Sequence, residues 1–180
     1  MNNYRQYCYV GSHNLLQILQ QPSQRAHVHN ADDVLQWIKE THQALNVDKT
    51  IIATFIIDLG QQLWIADQRS EHVRCAVGQP VLSAGEMTFA VYSNHVEVVE
   101  VTNQSTGYCP EPESWEDVAA TLTRTGLSFP SDFTTAYLFR RCEKCGATNI
   151  VKDMWFECGV CQAPLSQQWN FPRVDDCVIP

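Results

Sequence analysis

Two pairs of cysteines carry the clearest chemistry in the chain. Cys142-Glu143-Lys144-Cys145 is followed, after twelve residues, by Cys158-Gly159-Val160-Cys161. Two residues between paired thiols let one tight turn aim both sulfurs at the same ion. Two such turns supply four thiolates, which fill the coordination shell of zinc and leave no position for a substrate. The spacing therefore predicts one structural zinc on a small ribbon. A redox dithiol is the competing chemistry, and Cys177 competes for the fourth ligand place. Gly146 and Gly159 are expected to take the positive φ that such knuckles need. The remaining cysteines, Cys8, Cys75, Cys109 and Cys177, read as buried or tolerated thiols.

A second set of residues is polar and lies in the middle of the chain: Ser70 and His72, then Glu86 after Ala84-Gly85, then Asn103, Ser105 and Tyr108. Each sits where a strand pattern ends or a loop begins, the usual place for functional side chains on a rigid scaffold. An imidazole titrating near neutral pH, with Glu86 to orient it or to act as base, suits acid–base chemistry. The residues have equally ordinary uses, with His72 capping a turn and Asn103 to Tyr108 forming an Asx-rich turn. Whether the chain is an enzyme stays open at this level.

The elements that must hold these residues follow from periodicity. Leu15, Leu16, Ile18 and Leu19 mark a short helix over residues 11–21, ended by Pro22. A second helix begins at the N-cap Asn30, with Asp32 and Asp33 in its first turn, and runs to about Asn46. From Thr50 the residues become β-branched and aromatic. Thr50 to Asp58 and Leu63 to Ala66 read as a hairpin with Gly60 at positive φ. Gly85 to Val91 and Val96 to Thr102 read as a second hairpin turning at Ser93 and Asn94. A third helix follows Ser114 and closes at Gly126. Phe133 to Phe139 is a strand feeding the ribbon, and residues 150–157 are its hairpin. Trp155, Phe156, Trp169 and Phe171 are expected to pack the ribbon on the main body. The fold class is α+β: an antiparallel sheet with N-terminal helices over residues 1–139, the four-cysteine zinc ribbon over 140–171, and a tail over 172–180. The strand ends at Asp67 and Thr102 are expected to lie together, which would bring the Ser70–His72 loop against the Asn103–Tyr108 loop.

Composition narrows the function classes. With 20 acidic and 12 basic residues the formal net charge is -8, which argues against nucleic acid as the main partner, since duplex binding needs cations to displace counterions. Arg140, Arg141 and Lys144 are the densest basic group, expected to offset the charge of the metal site. The longest apolar run, Ile51 to Ile57, is far short of a membrane span, and the first residues show no export signal. The expectation is a cytoplasmic protein with no membrane partner.

The stretch from the first hairpin to Pro110, within residues 50–126, resembles a module shared by plant calmodulin-binding IQ-motif proteins and by bacterial toxin-like and effector-like proteins. Its elements are His-Ser-Ser, Ala-Gly-Glu and Ser-Gly-His-Tyr-x-Pro. Here His72 is followed by Val73 and Arg74, Ala84-Gly85-Glu86 matches directly, and Ser105-Thr106-Gly107-Tyr108-Cys109-Pro110 keeps serine, tyrosine and proline but has Gly107 at the histidine. The chain carries no IQ motif, so calmodulin binding does not transfer. With its ribbon and its Trp169-Asn170-Phe171 ending, the whole chain resembles uncharacterised bacterial proteins. The reading reached is a cytoplasmic bacterial zinc-binding protein with a small-molecule, nucleotide-like pocket around His72, Glu86 and Tyr108. The alternative is a non-catalytic interaction protein, of adaptor or immunity type, that holds a protein partner through its acidic surface and its ribbon.

Overall fold

The computed structural model of the chain describes residues 5–20, 24–93 and 95–174. Cys177, Pro22, Asn94 and the end of the expected tail lie outside them. The fold class is α+β, as the patterns predict. A five-stranded antiparallel sheet is made of β1 (Ala26–Val28), β3 (Leu63–Asp67), β2 (Thr50–Asp58), β4 (Val81–Val91) and β5 (Val96–Thr102), in that spatial order. The two predicted hairpins join through β2 and β4, whose register runs from Thr50↔Ala90 to Asp58↔Val81.

Both faces of this sheet are covered, which is why β2 reads as an almost unbroken apolar run rather than an alternating one. On one face Phe55, Ile57, Ile65, Met87, Phe89 and Val101 meet Val34 and Trp37 of helix α1 (Ala31–Glu40) and Val118 and Leu122 of helix α3 (Trp115–Thr125). On the other, Ile56, Ala66 and Ala84 meet Tyr7, Tyr108 and the one-turn helix α2 (His72–Cys75), with Leu16, Ile18 and Leu19 packed outside. Those three leucine and isoleucine residues belong to a 3₁₀ segment, His13–Gln20, where the pattern suggested an α-helix.

Local chemistry sets the helix ends. The Asn30 side chain accepts the Asp32 amide at 2.8 Å and the Asp33 carboxylate accepts the Asn30 amide at 3.2 Å, a reciprocal cap. The helix stops at Glu40, six residues earlier than its apolar spacing suggests. Asn46 instead organises the following loop, its side chain accepting the amides of Asp48 and Thr50. Gly126 ends α3 at φ 71°, as expected. Ser114 does not cap that helix through its hydroxyl, which pairs with Ser83 at 3.0 Å. In the first hairpin the positive φ falls on Gln61, not Gly60, because Asp58 gathers the Gln61 and Gln62 amides and dictates the turn.

The ribbon has its own two-stranded sheet, β6 (Leu138–Arg141) and β7 (Thr148–Val151), and its own small apolar cluster of Cys142, Val151, Cys158 and Leu165. Contact with the larger sheet comes from the segment that leaves it. Phe171 is buried with Cys109 and Phe139, and the Trp169 indole N–H donates to the Cys109 carbonyl at 2.8 Å while its ring meets Tyr7 edge-on. Phe156 packs within the ribbon, and Trp155 is 69% exposed, so neither does the expected docking. Arg140 is not a surface counter-charge to the metal site. It is buried, and its Nη1 donates to Glu111 Oε1 at 2.7 Å and to the Phe139 carbonyl, with Nε and Nη2 on the Gln167 carbonyl. Cys8 is disulfide-bonded rather than a free thiol, whereas Cys75 and Cys109 are free and buried.

A buried carboxylate–guanidinium pair that loses one partner leaves an uncompensated charge, at about 3 to 5 kcal/mol. Glu111→Gln should therefore destabilise the protein by that order in a denaturant titration. A change below about 1 kcal/mol would show that the pair does not hold the ribbon root to the sheet.

Candidate functional site

The four ribbon cysteines gather as the spacing requires. Their sulfurs all lie within 4.8 Å of one another, and no other group of three or more His, Cys, Asp or Glu side chains does so among the described residues. Cys142–Cys161 and Cys145–Cys158 sulfurs are each 3.6 Å apart, far beyond a disulfide bond at about 2.05 Å and close to the edge of a tetrahedron whose metal–sulfur distance is about 2.3 Å.

The two cysteine turns are near copies. Cys142 and Cys158 amides donate to the carbonyls of Ala147 and Ala163, and the amides of Gly146 and Gln162 donate back to the carbonyls of Cys142 and Cys158, all at 2.8 to 2.9 Å. Both turns need a left-handed residue just after the second cysteine. Gly146 supplies it at φ 75° and Gln162 at φ 61°. Gly159, the expected position in the second turn, is not in that region, because the strained place follows Cys161 rather than Cys158.

The electrostatics of the cluster call for a cation. Amide hydrogens of Cys161 and then Val160 hold the Cys158 thiol down at about 6, and the Cys145 amide lowers Cys142. Cys145 goes the other way, to about 12: the Ala147 amide pulls it down, but burial and the neighbouring thiols outweigh that pull. Four sulfurs this close cannot all ionise alone. An ion held by all four relieves that conflict and leaves no open coordination position.

Ser70, Glu86 and Tyr108 lie on the face of the sheet opposite α1 and α3, and most of the middle-segment polar residues have partners inside the protein. His72 opens α2 and its Nε2 donates to the Gly85 carbonyl at 2.9 Å. Although the residue keeps some exposure, its ring is enclosed, and burial lowers its pKa from 6.5 to about 4. It is a neutral donor, not an imidazole poised near pH 7. Glu86 projects to the same face, with Gln68 Nε2 3.4 Å from its Oε1. No hydrogen bond or ion pair joins it to His72. Tyr108 is fully buried and donates to the Gln79 carbonyl at 2.9 Å, and burial pushes its hydroxyl pKa far up. Asn103, also fully buried, donates to the Pro110 and Tyr137 carbonyls and accepts the Tyr137 amide. The Ser70 carbonyl accepts from Thr54 Oγ1 at 3.1 Å. The Ser105 hydroxyl is buried and unpartnered.

Asp67 and Thr102 come to the same end of the sheet, but with β2 and β4 between them. Gly85 explains its own presence: a Cβ there would overlap the Thr102 carbonyl oxygen and stand 2.8 Å from its carbon, so the close approach it permits is to the facing strand.

A cleft of about 1150 Å³ lies elsewhere, where the ribbon meets the sheet layer. Arg5, Glu111, Glu113, Glu116 and Asp117 line it from one side, and Arg140, Met154, Phe156 and Trp169 from the ribbon side. None of the six middle-segment residues reaches it. Sequence reasoning missed this site because Glu116 and Asp117 look like ordinary first-turn anions of a helix, and nothing local distinguishes them. Comparison with protein-family models, curated proteins and solved structures finds no match to this chain.

The His72 shift has a defined sign. With the folded value near 4 and the unfolded value near 6.5, the unfolded chain binds the extra proton in that window, so stability falls as pH drops through it. The loss is at most about 3 kcal/mol. His72→Gln, which keeps an N–H for Gly85, should lose measurably less stability than the parent as pH falls from 6.5 to about 4. Parallel curves for the two proteins would show that the ring is not held neutral.

Proposed function

We propose that this chain is a non-catalytic binding protein in which a zinc-closed ribbon and the α+β layer shape one cleft for a protein partner. The observation that carries the reading is the cleft itself. It opens at the junction of two units, a common place for binding sites, and its walls combine carboxylates with the apolar surfaces of Met154, Phe156 and Trp169. The ribbon's turn adds further apolar surface, with Met154 and Trp155 each 69% exposed.

Zinc is the ion in this reading. Four thiolates from two tight turns are its soft, tetrahedral donor set, held by Cys142, Cys145, Cys158 and Cys161. When bound, it acts as a cross-link that lets a cluster of four buried residues stand as a unit. It has no open position and takes no part in a reaction.

The other reading, a nucleotide-like small-molecule pocket around His72, Glu86 and Tyr108, draws support from the unpartnered Ser105 hydroxyl. Against it, the His72 ring and the Tyr108 hydroxyl are already occupied by backbone carbonyls. The interaction reading, of adaptor or immunity type, agrees better with the net charge of -8.

Purified protein should hold about one zinc per chain by elemental analysis, and Cys158→Ser should release it. Iron, or no metal in protein prepared without chelator, would remove zinc from the account. The partner reading is checked by placing a photo-crosslinking residue at position 154 in the ribbon or at position 36 on α1, in the protein's native cells. A discrete protein adduct from 154 and none from 36, lost on Cys158→Ser, is the expected result. Equal yields from both positions, or no adduct from 154, would overturn it.

A further inference from the structure

The segment Pro112-Glu113-Ser114-Trp115-Glu116-Asp117 crowds three carboxylates into the start of α3. Glu113 and Glu116 face solvent. Asp117 follows Ser114 by three residues and is drawn inward with Val118 and Leu122, which bury one side of the helix. Only 6% of Asp117 is exposed.

A carboxylate this covered ordinarily has a partner. Asp117 accepts no hydrogen bond and forms no ion pair among the described residues, and it lines the cleft. The cations of the same walls are engaged elsewhere. Arg140 is on Glu111 at 2.7 Å. Arg5 is 4.0 Å from Glu111 and lies over the Trp169 ring at 5.4 Å. Arg173 has an interaction of its own. The cleft therefore ends with one inward carboxylate lacking a counter-ion, flanked by two more at the rim. Burial, reinforced by the Glu116 charge, pushes its pKa up to about 6, which fits a carboxylate still short of a positive neighbour.

A divalent metal is the wrong cation here. Three carboxylate oxygens do not converge in the cleft, and the only such cluster among the described residues is the four cysteines. An organic cation fits the walls better. A guanidinium offers paired N–H groups to a carboxylate and stacks on aromatic faces, as Arg5 already does on Trp169.

We propose that Asp117 is the counter-ion for an arginine side chain of the protein partner, whose guanidinium enters the cleft. This rests on the binding-protein reading and names the chemistry its partner must present.

The test uses the zinc-loaded full chain and three probes: acetyl-Gly-Arg-Gly-amide, the same peptide with citrulline, and the same with lysine. Amide shifts followed by NMR should move at residues 116–118 with the arginine peptide. Citrulline, which keeps the shape and loses the charge, should bind about tenfold or more weakly, because the buried carboxylate is then left unpaired. Lysine should fall between them. Asp117→Asn, isosteric and neutral, should weaken arginine binding by about tenfold or more and erase the difference from citrulline. Glu113→Gln at the rim should change binding less than about threefold. Equal binding of arginine and citrulline, or no binding of either, would overturn the assignment, as would a preference for arginine that survives Asp117→Asn. The two readings fail separately: an adduct from position 154 with no arginine preference would leave a binding protein of different partner chemistry.

Discussion

Four sulfurs within 4.8 Å of one another are the constraint on which the ribbon depends. Left alone they would hold protons unevenly, with Cys158 acidic and Cys145 strongly basic. A cation lets them share one centre. The ribbon's apolar cluster has only four fully buried members, two of them the cysteines themselves. So small a core cannot offset the entropy of ordering its loops, and a metal cross-link is what small units of this kind rely on. The doubled turn geometry follows from the same demand: both knuckles place a left-handed residue after the second cysteine, even where that residue is Gln162.

Once the ribbon has a fixed shape, its ends become anchors. Arg140 at its entry reaches Glu111, and Trp169 and Phe171 at its exit fold back over Cys109, Phe139 and Tyr7. Asn103 ties the same region together by bridging Pro110 and Tyr137 with three hydrogen bonds. Buried polar groups of this kind are strong only when fully satisfied. Asn103, Tyr108 and Arg140 are satisfied within the chain, and their chemistry is used in joining loops. Asp117 is not satisfied within the described residues, and it lies in the cleft that these joints create.

Features with a local cause can be read directly from neighbouring residues. Cysteine spacing announced the four-thiol site, because a two-residue gap and a tight turn decide where both sulfurs point. The Asn30 cap, the Gly126 stop and the two hairpins were legible for the same reason: neighbouring residues settle them. Tertiary structure decided what depends on distant neighbours. His72 looked like a titrating base until enclosure by the fold held it neutral, against the opposing pull of the Gly85 carbonyl thirteen residues away. Helix α1 ended at Glu40 although its apolar spacing continued, since Leu45 has no core to enter. Arg140 looked like a surface cation and became half of a buried pair with a residue 29 positions earlier. Asp117 looked like a helix-dipole anion and became the unpaired wall of a cleft. Burial and pairing are sums over residues far apart in the chain, so a side chain's charge state, and with it its function, is fixed only when the fold brings those residues together.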